Sequence, residues 1–527
     1  ECHRGTLTSM ARNKRYNRKS EFLYEDLEWA SSMAKIINNT PYPTEIIDKG
    51  WEIICLNQFH DIIPGSSIKK VYEDSKEQYE EIIQIGEATL QSRLEGIAKE
   101  VATGKKAVVV FNSLSFERYD LVRFEYPNPV VIYDDGQEIE SVYEEGYVAF
   151  YGTIPSKGYK SFEIVDRDLA QAPIDNTLIL SKQCLENQFF KIQLDETGCI
   201  VSLFDKKEAR EVLIPGQRGN VLQAFEDKPH NWDAWDINIY YQEKMWEIED
   251  VQSIEVESNN GLEGTLCIKR KFMNSTIIQR MHIYRDIPRV DFENDIDWKE
   301  THILLKAAFP VDIHTEKAVY DIQFGNVERP THWNTSWDIA KFEVCGHKWA
   351  DLSEGNYGVS LMNDCKYGYD IKDQNMRLTL LKSPTIPNED ADRERHQFVY
   401  SLYPHKGDFK IGGTNQEAYK LNVELYVQLV EGVSGKLPAK LSVVDIDQDN
   451  VVCEVLKESQ DEGYVLRVYE VHNKRTQCNI KMFKALATVV ECDLEERAIG
   501  DVEKVEGQQF SFEIKPFEIK TYKITFA

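Results

Sequence analysis

Four side chains with chemical capability stand almost side by side in WEIICLNQFHDIIPGSS, Trp51 to Ser67: Asn57, Gln58, His60 and Asp61. The residues before them read as an apolar helix, and Pro64-Gly65 stops it. Removing so many polar groups from water is costly unless each finds a partner. On a continuing helix Asn57 and Asp61 are i, i+4 neighbours and Asn57 and His60 are i, i+3, so all three project in one direction. A neutral imidazole there is a metal ligand, and the adjacent carboxylate can orient that ligand or accept a hydroxyl. The competing reading is a histidine that closes the helix end, where its cation suits the dipole. Spacing alone favours this second reading, since a catalytic zinc takes about three protein ligands. No H-x-D, H-x-H or H-E-x-x-H pattern occurs in the chain.

Three further clusters carry chemistry. DKPHNWDAWDINIYY, Asp227 to Tyr241, sets tryptophans and tyrosines among aspartates. Aromatic faces beside carboxylates suit sugar recognition, because a ring stacks on C–H faces while carboxylates take hydroxyls. The same residues also make an ordinary packed loop. RPTHWNTSWD and GHKWADLSE, within 329–354, read as loops between strands, where function concentrates. RHQFVYSLYPHKGDF, Arg395 to Phe409, alternates as a strand that Pro404-His405 ends, with Tyr400 and Tyr403 in the core and His396 on either face. There is no G-x-S-x-G elbow and no P-loop.

These clusters need elements to hold them. Leu23, Leu27, Ala30, Ala34 and Ile37 recur at helical spacing and predict a helix over 17–40. The opening stretch predicts a second helix over 44–62, and the apolar side Tyr72, Tyr79, Ile82, Ile83, Leu90, Leu94 and Ile97 a third over 69–101. Short connections make them an antiparallel bundle. From Gly104 onward the runs are short, β-rich and punctuated by Gly, Pro, Asn and Asp. The expected fold is multidomain α+β: a three-helix bundle over 1–103, a small β-domain over 104–175, a large β-sandwich over 176–431 and a C-terminal β-domain over 432–527, the strands mostly antiparallel.

Composition narrows the function classes. The 527 residues carry 62 basic and 89 acidic side chains, a formal charge of -27, which argues against nucleic acid or an anionic membrane as partner. No run of 18 apolar residues occurs, so no spanning helix is expected. Ten cysteines without a C-x-x-C pair fit free thiols in a reducing, cytoplasmic setting. The opening ECHRGTLTSMARNKR starts in mid-pattern, and the chain is expected to be the C-terminal part of a longer protein.

The blocks HRGTLTSMARNK, NQFHDIIPGSS, LENQFFKIQLDETGCIVSLFDKKEAREV, WDAWDI, FGNVERPTHWNTSWDIAKFEV, HKWADLSEGNYGVSLMNDCKYGYD and RHQFVYSLYPHKGDF together resemble glycoside hydrolase family 38, the class II α-mannosidases. They are most similar to its bacterial and animal cytosolic branch. The resemblance implies retaining hydrolysis of α-linked mannose in mannose-containing oligosaccharides, through a glycosyl-enzyme made by one carboxylate while a second serves as acid and base. It implies a zinc ion (Zn2+) that holds the sugar. It makes His60 a zinc ligand and Asp61 a contact to the mannose, and it extends the substrate-binding set to Arg4, Trp349 and Asp351. The family's nucleophile and remaining ligands, an H-x-D pair among them, belong to an N-terminal α/β barrel without counterpart here. The expectation is therefore a part of an α-mannosidase, inactive alone, in which HKWADLSE comes within reach of His60. A stand-alone carbohydrate-binding or scaffold module is the alternative. Apolar surface left by the missing barrel invites self-association into a homo-oligomer. Cys2, Leu7 and Glu394 depart from the family's pattern.

Overall fold

The computed structural model describes residues 3–167 and 177–527. Cys2 and the expected boundary near 175 lie outside the described residues. The chain forms two compact units, each assembled from separate segments: 1–19, 53–80 and 174–422 in one, 20–52, 81–173 and 423–527 in the other.

Three long helices supply residues to both units: α1 (Ala11–Asn38), α2 (Thr44–Asn57) and α3 (Lys69–Ala98). Asn39, in the left-handed region at φ 60°, closes α1. At its other end the buried Asp392 carboxylate accepts the N–H groups of Met10 (3.0 Å) and Ala11 (2.7 Å), a cap supplied from a distant segment. The predicted stripe of α1 is wider in the structure. Leu27, Ala30 and Ala34 are buried, but so are Asp26, Glu28, Ser31 and Ser32 on its other faces. These polar groups find partners: Glu28 accepts from Trp51 Nε1 (3.0 Å), Asp26 from the Tyr426 hydroxyl (2.5 Å), and Ser32 donates to Leu456 O (3.4 Å). Gly50 lets α2 touch α1 closely, since a Cβ there would lie 1.8 Å from the Tyr24 ring.

In the first unit, a nine-stranded antiparallel sheet runs from Asp250–Asn259 at one edge, through Arg395–Lys406 near its middle, to Gly325–Pro330 at the other edge. A six-stranded sheet with Ile303–Pro310 and Asn375–Lys382 at its centre faces it. Phe292 and Tyr400 of the first sheet pack on Phe309 of the second at 5.6 and 6.1 Å between rings, within one continuous apolar core. This is a β-sandwich. A five-stranded sheet over residues 179–211 adds to that core. The strand predicted to stop at Pro404 continues to Lys406, with Pro404 paired opposite Val359.

The second unit holds the small β-domain and the C-terminal one. Lys106–Asn112 lies between Gly158–Asp166 and Tyr426–Glu431, so this sheet takes an edge strand from more than 300 residues downstream. Its apolar face covers a three-stranded sheet through Val108, Phe150 and Phe162. The C-terminal strands make a four-stranded and a five-stranded sheet. The expected fold class is the observed one: helical bundle, then mostly antiparallel sheets, with no α/β barrel among the described residues.

Candidate functional site

α2 ends at Asn57, three residues before His60. From there the backbone makes tight turns instead of continuing, with Phe59 N–H bonded to Leu56 O (3.2 Å), Ile62 N–H to Phe59 O (2.8 Å) and Gly65 N–H to Ile62 O (3.1 Å). The helical spacing expected for Asn57, His60 and Asp61 therefore does not hold. Asn57 is buried and its amide donates to Gln78 Oε1 (2.9 Å) and Ile53 O (3.0 Å). Gln58 donates to Asn17 Oδ1 (3.0 Å). The other two polar residues face water: the His60 side chain is 78% exposed and that of Asp61 49%. The four thus divide into two that tie the helix end down and two that the turn presents.

The presenting turn is braced. Phe59, itself exposed, sets its ring 4.2 Å from the imidazole. Asp61 Oδ1 accepts from the Ser66 hydroxyl (3.1 Å), and the Tyr72 hydroxyl donates to Asp61 O (3.2 Å) while accepting from Ser67 N–H (3.0 Å). His60 Nε2 and Asp61 Oδ2 stand 3.8 Å apart, too far for a hydrogen bond and near enough to act on one bound group. Gly65 holds φ at +85°, and a Cβ on it would lie 2.2 Å from Ser9 O. Gly65→Ala is expected to cost about 1–3 kcal/mol, the range for a strained backbone residue. Urea unfolding of wild type and variant measures it.

Among the described residues, no three His, Cys, Asp or Glu side chains group to hold a metal ion. His60 offers one donor nitrogen, and the residues here do not make a zinc site by themselves.

The other predicted site residues are placed differently. Arg4, in a 3-10 turn, donates to Ala340 O (2.7 and 3.1 Å), pairs with Asp236 at 3.5 Å and stacks on Phe342 at 4.4 Å. Its side chain is engaged on every side. The sequence places Trp349 and Asp351 in a loop, but Trp349–Ser353 is a strand inside the nine-stranded sheet and both are fully buried. Trp349 packs on Phe409. Asp351 accepts from His405 Nε2 and the Ser360 hydroxyl, each at 2.8 Å, and from Ser353. Neither presents a surface to a sugar, which corrects the expectation for both. The alternation of Trp349, Asp351 and Ser353 with Ala350 and Leu352 was the strand signal. The contacts of His60 include neither of them.

The Asp227–Tyr241 cluster splits in the same way. Asp227 is buried against Lys382, and Asp233 accepts from Thr385 N–H (2.6 Å) beside His302 (3.1 Å). Trp232 (69%) and Tyr240 (66%) remain exposed. Trp337, in the one-turn helix α4 (Ser336–Ile339), is exposed as well. Free rings are present, but the carboxylates that would accompany them are committed to the fold.

Comparison with known proteins bears on what this surface belongs to. The family model described as the α-mannosidase middle domain matches residues 1–97. The glycosyl hydrolases family 38 C-terminal domain matches 185–390, and the C-terminal β-sandwich domain of the same family matches 450–522. The chain belongs to glycoside hydrolase family 38. Within that family it is 32% identical to alpha-mannosidase 2C1 of Homo sapiens over 94% of its own length and 47% of the relative's. It is 31% identical to alpha-mannosidase of Saccharomyces cerevisiae, over 90% of its length and 41% of that protein. The chain thus spans about half the length of the curated relatives it matches. A crystal structure of an α-mannosidase from Enterococcus faecalis V583 superposes with a TM-score of 0.84, at 16% identity, over 99% of this chain and 68% of that one. This last likeness shows that the fold is the family's.

Proposed function

We propose that this chain is the C-terminal part of a zinc-dependent, retaining α-mannosidase acting on terminal α-linked mannose, and that it supplies His60 and Asp61 to a site completed elsewhere in the enzyme. The observation that carries the reading is the braced turn after α2: Asn57, buried, and Gln58, exposed but bonded to Asn17, tie the helix end down, while an imidazole and a carboxylate face water. An exposed imidazole without a hydrogen bond of its own, beside a carboxylate that keeps one oxygen for the turn and one toward water, in a turn this closely held, is what a half-site needs. The names of the 30–32% identical relatives supply the chemistry. In this reading His60 gives the metal one nitrogen and Asp61 meets the mannose hydroxyls. The carboxylates that attack and protonate come from the part of the enzyme that the relatives have and this chain does not match.

The chain is expected to show no turnover of an aryl α-mannoside when assayed alone with added zinc. It is expected to regain turnover when produced together with the remaining half of the enzyme. Turnover by the isolated chain would refute its dependence on a second half. An inert reconstituted enzyme, folded and loaded with zinc, would favour a module without catalysis. Nine free cysteines among the described residues, none paired, fit a reducing compartment as the place of work. No helix among the described residues is long and apolar enough to cross a membrane.

A further inference from the structure

A second feature of the first unit is electropositive in a chain whose formal charge is -27. A cavity of about 190 Å³ opens beside the first turns of α1, where they meet the start of the strand Arg395–Lys406 and the turn at Cys365-Lys366. Arg12, Arg15, Tyr16, Lys366, Arg395 and His396 line it. In its lining Lys366, His396 and Phe398 are buried, while Arg395 is exposed.

Some of these charges are cancelled locally. Arg12 pairs with Glu394, Arg395 forks onto Asp295, and the neighbouring Lys19 takes Asp364 at 3.2 Å. Two cations make no direct ion pair, although the Asp364 carboxylate acts on both at longer range. Lys366 donates to Leu380 O (2.7 Å) and lies over the Phe398 ring at 3.8 Å, which leaves its charge unpaired. Arg15 has no hydrogen-bond or ion-pair partner among the described residues, and the Nε–H groups of Arg12 and Arg15 are both buried without an acceptor. Burial, first, and then the Lys366 charge push the His396 imidazole down to about 3, so the ring stays neutral. Burial likewise lowers Lys366, opposed by Cys365, Asp364 and Asp392 and aided by Arg15. Two cations without a direct ion pair, and orphaned donors around one small space, are costly unless an anion enters.

We propose that this cavity binds a compact phosphate oxyanion, either free phosphate or the terminal group of a small phosphomonoester, held by Arg15 and Lys366. At about 30 Å³ per water the space holds on the order of six waters, enough for a phosphate and part of its shell. It is smaller than the roughly 300 Å³ at which ordinary ligand pockets begin, which suits a compact anion better than an oligosaccharide. A guanidinium and an ammonium on one phosphate is a common division of labour: the planar fork sets orientation and the ammonium adds point charge. Sequence reading did not single the cluster out, although Arg12 and Arg15 at i, i+3 in ARNKR lie on one helix face.

Calorimetric titration of the purified chain tests this, with potassium phosphate against potassium chloride at matched ionic strength, and with a hexose 6-phosphate against the free hexose. The expected result is saturable binding of phosphate or of the phosphomonoester, no binding of chloride or free hexose, and a thermal midpoint that rises with the bound anion. Whichever of the two binds at least tenfold tighter is the source of the phosphate group. Arg15→Gln, a partly exposed position, is expected to weaken binding at least tenfold without moving the anion-free midpoint. Lys366→Met is the second variant and is judged only if it folds. Absence of heat and of stabilisation beyond the chloride control overturns the proposal. Binding by Arg15→Gln equal to that of the wild-type chain overturns it too.

Discussion

His60→Ala, made in the longer enzyme, is expected to lower kcat/KM for an aryl α-mannoside by more than about 10²-fold, beyond the 10–100-fold typical of residues that only support a metal ligand. The same change is expected to leave folding stability within about 0.5 kcal/mol, as for surface positions generally. The pair of outcomes follows from one arrangement. The imidazole is largely exposed, its described contacts are the Phe59 ring and a carboxylate at 3.8 Å, and it makes no hydrogen bond that holds α2 or the turn. A residue in that state carries little of the fold, so any large effect must come through what binds it. Steady-state kinetics, zinc content and urea unfolding on the same preparation separate the two. Full activity with normal zinc content would remove His60 from the site. A large loss of stability would mean that it closes the helix end after all, as its spacing in the sequence first suggested.

Lys306→Met is expected to destabilise the chain by about 3–5 kcal/mol, the range for breaking a buried charge pair by removing one partner. Lys306 is wholly buried on the strand Ile303–Pro310. It pairs with Glu343, also wholly buried, and lies 3.5 Å from Asp370. Asp370 has further support from Arg377 (2.5 Å) and the Tyr241 hydroxyl (2.7 Å). Glu343 keeps only the Thr379 hydroxyl once the lysine is gone. Burial already holds the Glu343 carboxyl above its ordinary value, and the Lys306 charge is the largest influence opposing that. The variant therefore binds a proton at Glu343 more readily when folded than when unfolded. That contribution to stability is present at low pH and is lost as pH rises through the raised folded value, so the deficit should grow from acid toward neutral pH. Urea midpoints at several pH values give the sign and size. Lys306→Met combined with Glu343→Leu should recover most of the loss, because an apolar pair leaves no charge stranded.

Much of the architecture was legible along the chain. The periodicities of 17–40, 44–62 and 69–101 mark α1, α2 and α3, which run over Ala11–Asn38, Thr44–Asn57 and Lys69–Ala98. The change of pattern at Gly104 marks the passage to strands, since helix and strand bury residues with different periods. The turn chemistry of Pro64-Gly65 was also visible, and Gly65 does take a positive φ. Local pattern failed where one residue type serves two roles. Trp349, Asp351, Asp227 and Asp233 looked like site residues, because polar and aromatic side chains cluster in sugar sites and in buried networks alike. Their partners Phe409, His405, Lys382 and Thr385 lie 54 or more positions away in every case and give no local signal.

The sequence by itself determined the element types and the family, because these rest on short-range spacing and on local residue blocks, but it carries the second helix on to 62, past the turn that begins after Asn57. Only the tertiary structure decided which polar residues are spent on folding. Asn57 and Gln58 are paid for by Gln78 and Asn17. The edge strand beside Lys106–Asn112 comes from Tyr426–Glu431. Arg15 of α1 and Lys366, some 350 positions on, line one cavity without a direct ion pair. Each of these is a long-range pairing, and burial free energy depends on the partner that the fold delivers and not on the residue alone.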